Sequence, residues 1–535
     1  MLGLGALCVL WYWNTHKDAI IRQKIESAID ENTNGLYKIS YDSTQVDELE
    51  GNLSFYNMHL AYDSARYKEG ERMGIVPPIL FKVDIPEISV SGVQSARAMT
   101  KTEIVGKKLV IKEPVINLYY TYQGKDADLN MPTDDMYREI LSGMKLVQVD
   151  TILLSNAVIR TTNGKTGKLL AEGSNINITL TDVKIDSTAF EDKTRLMFSK
   201  AVDIRAGNIK WTSDNKLYNF NIGNIALNSA NNTLTMGRFD MKPVLNENAY
   251  VNAFPFQEDR FDLSLSGISF SGMDIKKAFD ENLQAAGMNV ASLSFKIYRD
   301  LAKPRDKKNR VGKYPQQALT KIPFLFSVKK ITLNDSYIEY KERSNITRQA
   351  ALVRFHHLHG VLSNVTNDKK AAGQEMTLVT NARFQDQTNF SSQWRFYLFH
   401  PKGRVDISGK LGPLQAPVIN ELVQASGMAA IREGQVDGLD FTLHGDDDNM
   451  NGIIQFLYKD LKVDLQEIDE GETKRDRKFL SSLLANIVIK NSNPKKNEAV
   501  RTASVSVTRD PNRSLFWLCW KTIFKGIMET AGVKQ

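Results

Sequence analysis

Short runs in which apolar and polar residues alternate recur along most of this chain and limit what it can fold into. Between residues 35 and 490, runs such as Ile176, Ile178 and Leu180 alternate with polar residues, and Asn, Asp, Gly and Ser separate the runs. A period of two places every second side chain on one face of a β-strand. The pattern therefore predicts a mainly β fold of repeated antiparallel strands and hairpins, with a few short helices.

A sheet of alternating strands has one apolar face that must be covered, and few helices are predicted to cover it. Three arrangements meet this requirement. They are a closed barrel, a sheet folded on itself, and an elongated sheet curled into a groove whose apolar lining is covered by lipid acyl chains. The alternation by itself favours none of the three.

Part of the chain repeats. Apolar residues have the same spacing in the segments 149–160 and 328–339, each of which predicts a strand, a tight turn and a second strand. The strands that follow also correspond, and a weaker third copy spans 109–117. Such self-similarity predicts related β modules in tandem. The predicted organisation is a first β module at 35–298, a basic linker or long loop at 299–323, and a second β module at 324–490.

The N-terminal residues are typical of a segment that leaves a membrane. Residues 1–13 carry no charge, end in three aromatic side chains and are soon followed by a cation. Aromatic rings settle at the level of lipid headgroups, and cations lie just outside them. We expect a membrane anchor at 1–15, preceded by a further segment because a spanning helix needs ~20 apolar residues. A buried helix is the alternative. An amphipathic helix is predicted next, at 16–34, ending near Asn34.

The residues from 491 to 535 combine a basic lead-in with an amphipathic helix. Phe516, Trp520 and Ile527 share one helical face, whereas Lys521 and Thr522 lie opposite. This arrangement suits an interfacial helix among anionic headgroups, and equally a helix that closes the β structure. The candidate membrane-interface residues of the two termini are Trp11, Tyr12, Trp13, Lys17, Phe516, Trp517, Trp520, Lys521, Phe524 and Lys525.

Motifs that carry chemistry are missing from the sequence. It has no phosphate-binding glycine loop and no serine nucleophile elbow. The histidine cluster at 356–359 lacks the third ligand of a catalytic zinc site. The run Asp447–Gly452 starts like a calcium loop, but Tyr458 stands where a bidentate Glu is needed. We therefore expect no catalytic residue, no metal and no cofactor, although a carboxylate pair of a glycan-active enzyme stays an open alternative.

The charge of the chain gives little support for nucleic-acid binding. There are 69 basic and 62 acidic residues, a net charge of +7, and the basic excess is concentrated from Lys495 onward, beside Trp and Phe. A membrane surface explains cations next to aromatic residues more simply than a nucleic acid does. We expect no nucleic-acid partner.

Two further stretches carry a family resemblance. After the amphipathic helix comes a Gly-Asn-Leu-Ser strand entry at Gly51–Ser54, and residues 405–465 form a distinctive terminal stretch. Together with the layout of the chain, these stretches resemble the AsmA-like proteins of the Gram-negative envelope, which include TamB-type relatives and are related to bridge-like lipid transfer proteins. The matching positions of the terminal stretch are Gly409, Asn420, Gly434, Gly438, Tyr458, Asp460 and Leu461.

The resemblance implies a single-pass inner-membrane protein whose body lies in the periplasm and forms an apolar β-groove. It implies a non-enzymatic role in phospholipid transport between membranes or in outer-membrane biogenesis. The implied partners are phospholipid or a membrane surface, and an outer-membrane assembly protein. Two other functions stay open: a scaffold that binds its assembly partner through strand edges, and an envelope enzyme acting on glycans. The resemblance assigns no individual residue to the groove.

Overall fold

The computed structural model describes most of the chain. The described residues are 22–94, 103–121, 145–465 and 490–532, except positions 24, 28, 32, 48, 76, 187, 190, 191, 193, 427 and 428. The predicted anchor at 1–15 and its interface residues Trp11, Tyr12, Trp13 and Lys17 lie outside these residues. Among the described residues, no helix is long and apolar enough to span a membrane.

The chain is mainly β, as predicted, with 58% of residues in strands, and its described strands belong to one mixed sheet of 22 strands. In chain order they are β1 (Tyr37–Ser40), β2 (Ser43–Asp47), β3 (Asn52–Tyr62), β4 (Ile79–Ser91), β5 (Glu103–Lys112), β6 (Val115–Tyr120), β7 (Leu146–Asn163), β8 (Leu169–Ile185), β9 (Ala201–Thr212), β10 (Tyr218–Asn228), β11 (Thr233–Pro243), β12 (Arg260–Ser271), β13 (Asn282–Asp300), β14 (Leu325–Arg343), β15 (Ala350–Thr366), β16 (Glu375–Phe384), β17 (Thr388–Tyr397), β18 (Val405–Leu411), β19 (Leu414–Gln415), β20 (Ala429–Gly445), β21 (Asn449–Leu465) and β22 (Ala503–Thr508).

The described helices with complete bounds are few and mostly short. They are α1 (Ser64–Met73), α2 (Glu247–Asn252), α3 (Ile275–Phe279), α4 (Pro315–Leu319), α5 (Asn420–Val423) and α6 (Leu515–Thr530), with 3₁₀ turns at Lys369–Ala371, Ala416–Ile419 and Gln424–Ser426. The helix before β1 ends where the sequence predicts. Its described positions lie between 22 and 31, and Gly35 donates its N–H to the Asp30 carbonyl over 2.8 Å at a φ of 72°. A left-handed glycine of this kind closes the last helical turn.

The chain divides into two compact units. The first comprises the described residues up to Ser213 together with Phe220–Gly237, and the second comprises Asp214–Asn219 and the described residues from Arg238 onward.

In the first unit, antiparallel pairing joins β3 to β4, β7 to β8 and β8 to β9. Strands β5 and β6 together pair antiparallel with β4 and parallel with β7. The parallel pairs depart from the predicted antiparallel arrangement, because alternation defines the faces of a strand but not the direction of its neighbour. Two small clusters of buried residues lie in this unit, Val183 with Ile185 and Ala157 with Ile176 and Ala206.

In the second unit, β12 and β13 are antiparallel and β13 and β14 are parallel. Antiparallel pairing then continues from β14 to β18 and through β20, β21 and β22. Its large core lies between these last strands and α6, where Leu443, Met450, Ile454 and Leu518 are fully buried. The second unit therefore has a helix covering one end of its sheet.

The segment 299–323, predicted as an exposed linker or long loop, contains the end of β13 and helix α4. Four of its residues are buried, Asp300, Asp306, Tyr314 and Gln316. The Tyr314 hydroxyl donates to the Asp446 carbonyl over 2.8 Å, and the Gln316 side chain donates to the Gly403 carbonyl over 3.0 Å. This part of the segment is packed within the second unit.

The repeat predicted from the sequence has the same strand register in each unit. The paired positions are Val149–Val183, Ile152–Leu180 and Leu154–Ile178 in β7 and β8, and Val328–Val365, Ile331–Leu362 and Leu333–Gly360 in β14 and β15. Asn156 and Asp335 occupy equivalent positions with φ values of 53° and 32°. Each lies at a register shift inside one long strand, and not at the predicted tight turn, because a single left-handed residue adds a bulge without reversing the chain.

Candidate functional site

In the first unit, one face of the sheet is apolar across six neighbouring strands. Residues directly opposite each other in neighbouring strands point to the same side of a sheet. Val90 lies opposite Leu53 and Leu109, and the row continues through Ile152 and beyond. We define the first-unit face by this row and the next one: Leu53, Val90, Leu109, Ile152, Leu180 and Val202, and Phe55, Ile88, Ile111, Leu154, Ile178 and Ile204.

Most side chains of the first-unit face are only half-buried. Phe55 and Val202 are 7% and 1% exposed, and the others keep intermediate exposure. Helix α1 buries none of its residues. The face is therefore not sealed by a second layer among the described residues of this unit, unlike the helix-covered end of the second unit.

The opposite face of the same strands is polar. Lys112 and Glu87 form an ion pair of 2.8 Å, and Arg160 and Glu172 form one of 2.9 Å. Each of these partly exposed pairs contributes only ~0–1 kcal/mol to stability. These ion pairs show that the opposite, solvated face carries charge, whereas the first-unit face carries none.

A second apolar row crosses six strands of the second unit. Phe270, Met288, Ile331, Leu362, Leu378 and Trp394 lie opposite one another from β12 to β17 and are half-buried. We call these residues the second-unit row. The same row continues to Ile407 and Leu443, which are 3% and 0% exposed where the sheet meets the α6 core. Covered and half-exposed apolar surface are thus continuous along one line of the sheet.

Helix α6 packs on the sheet through small residues. Leu518, Cys519, Thr522 and Gly526 are buried, and a Cβ added at Gly526 would lie 2.6 Å from the Cβ of Ile454. Thr522, assigned to the polar face by the sequence, is therefore part of the contact. Burial raises the pKa of the Cys519 thiol, which stays protonated. One of the two predicted roles of this helix, closing the β structure, is what the structure shows.

Of the predicted interface residues of α6, two are exposed and four, Trp517, Lys521, Phe524 and Lys525, are half-buried. Phe516 and Trp520 are 64% and 47% exposed. The ring of Phe516 lies 5.8 Å from that of Trp394, and the ring of Trp520 lies 5.9 Å from that of Phe524. We call Trp394, Phe516, Trp520 and Phe524 the aromatic corner. Through Trp394 it adjoins the end of the second-unit row, a link that the sequence did not predict because Trp394 is more than a hundred residues away.

Two cations at the start of α6 lie over the ring of Trp517. The guanidinium of Arg513 and the ammonium of Lys521 lie 5.0 Å and 4.9 Å from its ring centre. Burial, followed by the positive charges of Arg513 and Lys525, lowers the pKa of Lys521. Lys525 donates to the Ser506 carbonyl over 3.3 Å. The sequence predicted two of these cations but missed Arg513, which precedes the helix.

The structure gives the two motifs that resemble metal sites other partners. His357 contacts Asp335 over 2.8 Å, and His356 packs against the ring of Tyr337. Asp447 is ion-paired with the buried Arg509. Among the described residues, no group of three or more His, Cys, Asp or Glu side chains is arranged to hold a metal ion.

Comparison with known proteins identifies no family. No protein-family model and no curated protein matches the chain.

Proposed function

We propose that this chain is a non-enzymatic lipid-handling protein of the AsmA-like type, whose apolar sheet faces shield acyl chains from water. The observation that carries the proposal is the pair of half-buried apolar surfaces, the first-unit face and the second-unit row, each crossing several strands in register. In this proposal, the faces line grooves that support phospholipid transport between membranes or outer-membrane biogenesis. The predicted inner-membrane anchor and periplasmic location belong to the same proposal.

The energetics of acyl-chain transfer support this use of an apolar face. Moving one methylene from water to an apolar surface is worth ~0.8 kcal/mol, so a lipid tail cannot cross water uncovered at a useful rate. Six strands spaced ~4.8 Å apart present roughly 24 Å of apolar surface, and one leaflet of a bilayer is ~15 Å of hydrocarbon. Each row is long enough to accommodate one acyl chain.

Half-burial also favours a reversible ligand over a permanent protein partner. A half-buried side chain has less exposed area left to bury when an acyl chain binds. Each residue of the face therefore contributes only moderately to the affinity. Acyl chains can then slide along the row without breaking directional contacts, because the hydrophobic effect is non-directional. No bond-breaking chemistry is required.

Site-specific photo-crosslinking tests the proposal. A photoreactive side chain would replace Leu109 on the first-unit face or its neighbour Lys108 on the opposite side of β5. The equivalent pair in the second unit is Leu378 of the second-unit row and Val379 on the other side of β16. We expect crosslinks to phospholipid at Leu109 and Leu378 and at neither neighbour. Equal lipid labelling on both sides of the strands, or none on either, would refute acyl-chain binding by these faces.

A further inference from the structure

Arg513, the residue before the N-cap of α6, is a buried cation without a counter-ion among the residues that the structure describes. It is 8% exposed, its Nε makes no hydrogen bond, and its side chain has no ion pair among the described residues. Its guanidinium lies over the ring of Trp517. Asp510 and Glu342 contribute opposing charge, but neither forms an ion pair with it. Burying an unpaired charge costs free energy, and a bound anion would offset this cost.

The cleft that Arg513 faces carries excess positive charge. It is lined also by Arg299, Arg305, Arg310, Asp306 and Asn512, and its volume of about 10 Å³ is the space of one water-sized group. Asp259 holds Arg299 through two contacts of 2.6 Å, and Asp306 holds Arg310 at 2.8 Å. Arg305 and Arg513 keep no acidic partner among the described residues. Burial, and then the charges of Arg305 and Arg299, lower the pKa of Arg513 to about 10.

A larger cavity of about 420 Å³ shares Arg310 with this cleft. Its walls include Lys313, Arg509 and Phe516, and its acid Glu258 is engaged by Lys308. Arg509 is neutralised by Asp447, whereas Lys313 has no acidic partner among the described residues. The two cavities, which share Arg310, are therefore lined by three cations without an acidic partner among the described residues: Arg305 and Arg513 in the small cleft and Lys313 in the larger cavity.

The backbone at this place is also suited to an anion. Helix α6 is 16 residues long, begins at Leu515 and has no acidic residue in its first turn. The N-terminus of a helix carries a partial positive charge and N–H groups without a helical partner. In α6, Ser514 Oγ accepts one of these N–H groups, that of Trp517, over 3.3 Å. A cation at that position is unfavourable unless an anion binds between them. The buried arginine and the helix terminus thus point independently to the same kind of ligand.

We propose that this cleft binds a phosphate-type oxyanion, the head group of an anionic lipid whose acyl chain lies on the aromatic corner. This inference rests on the proposed function, since it supplies the charged end of the same ligand. One phosphate oxygen would occupy the small cleft between Arg305 and Arg513, and the rest of the head group would lie in the larger cavity. Phe516 forms a wall of that cavity and contacts Trp394, so the tail reaches the second-unit row directly.

Calorimetric titration of the full chain with soluble short-chain lipids tests the inference. The probes are dihexanoyl phosphatidic acid, dihexanoyl phosphatidylcholine and inorganic phosphate. We expect the phosphatidic acid to bind at least about tenfold more tightly than the zwitterionic lipid or phosphate, because charge-assisted hydrogen bonds and the tail act together. The variants Arg513→Gln and Arg305→Gln should each weaken phosphatidic acid binding about tenfold or more. Lys307→Gln, an exposed cation of the same segment, is the matched control and should not change it.

The outcomes separate this inference from the proposed function. If lipids bind equally whatever their head-group charge, and Arg513→Gln binds them as the wild type does, the head-group site is overturned. Acyl-chain binding by the sheet faces is left intact by that result. Inorganic phosphate that binds as tightly as phosphatidic acid would overturn the lipid as the source of the anion. Loss of all lipid binding in Leu378→Lys with retention of phosphate binding would support the oxyanion cleft and its connection to the second-unit row.

Discussion

Single residues in the left-handed conformation change the phase of alternation inside long strands. Asn156 in β7 and Asp335 in β14 do this at equivalent positions, and Asn175 in β8 lies at the next register shift of the β7–β8 pair. Asn and Asp adopt this conformation at lower cost than other residues with a Cβ. The sequence showed these residues as breaks in the apolar pattern, but it could not distinguish a bulge from a turn, because that depends on the conformation of the next residue.

A matched pair of substitutions at Asn156 tests the role of its conformation. Asn156→Val places a β-branched residue at a φ of 53° and should lower the free energy of unfolding by ~1–2 kcal/mol. Asn156→Gly should stay within ~0.5 kcal/mol of the wild type, because glycine adopts this φ freely. Urea denaturation measures both. Equal destabilisation by the two variants would show that the Asn side chain, not its backbone conformation, matters.

Arg509 and Arg513 are both buried, yet we expect opposite effects on stability. Arg509 is ion-paired with Asp447, whose side chain is also buried, so Arg509→Ala leaves an unpaired carboxylate and should cost ~3–5 kcal/mol. Arg513→Gln removes an unpaired charge and should leave the free energy of unfolding unchanged or higher. Chemical denaturation without ligand measures both. A large loss of stability in Arg513→Gln would mean that this arginine has a structural role.

Asp406 should make the second unit sensitive to acid. Burial alone would raise the pKa of Asp406. Hydrogen bonds from His444 and Tyr397 and the charge of Arg404 outweigh burial and lower this pKa. A carboxylate whose pKa is lower in the folded state stabilises the fold above its unfolded pKa of ~3.9, and this contribution is lost as pH falls through the folded pKa.

The variant Asp406→Asn should therefore be less stable than the wild type at pH 7 and should lose less stability between pH 5 and pH 2. The measurement is the free energy of unfolding across that range. Asp386→Asn, at an exposed turn, is the control and should follow the wild type. If the free energy of unfolding of Asp406→Asn falls with pH as steeply as that of the wild type, other groups cause the acid sensitivity.

At the scale of elements, α6 shows where helical periodicity succeeds and where it misleads. The sequence predicted an amphipathic helix in this region, and the helix runs from Leu515 to Thr530. Two of its aromatic residues, Phe516 and Trp520, are exposed, whereas its contact with the sheet uses Thr522 and Gly526, which periodicity would not rank as core residues. Small side chains bury a helix by allowing its backbone to approach, a property that depends on the partner surface and is not visible in one segment.

The close approach of α6 makes Gly526 a sensitive position. Gly526→Leu would force atoms into Ile454, whose Cβ is only 2.6 Å from an added Cβ, and we expect a loss of ~1–3 kcal/mol or more through overpacking. Lys525→Leu, one residue away on the partly exposed side, should change stability by less than ~0.5 kcal/mol. Thermal unfolding compares the two. Equal stability of both variants would show that the helix can move outward without loss.

For the whole molecule, alternation was sufficient to predict a mainly β chain with few helices, and the repeat was sufficient to match β7 and β8 with β14 and β15. The parallel partners of β7 and β14 were not predicted, since a period of two is the same for either direction of the neighbouring strand. Arg513 was missed for a similar reason. The surroundings of Arg513 include residues about two hundred positions away in the sequence, such as Arg305, so one segment cannot show that it has no counter-ion among the described residues.

Mass spectrometry of lipids that co-purify with the chain tests the central claim most directly. Ile152 belongs to the first-unit face, and Leu153 lies on the opposite side of the same strand, so Ile152→Lys and Leu153→Lys differ only in the face that receives the charge. We expect bound phospholipid in the wild type and in Leu153→Lys, and several-fold less in Ile152→Lys. Absence of phospholipid from the wild type, or equal amounts in all three proteins, would contradict the account.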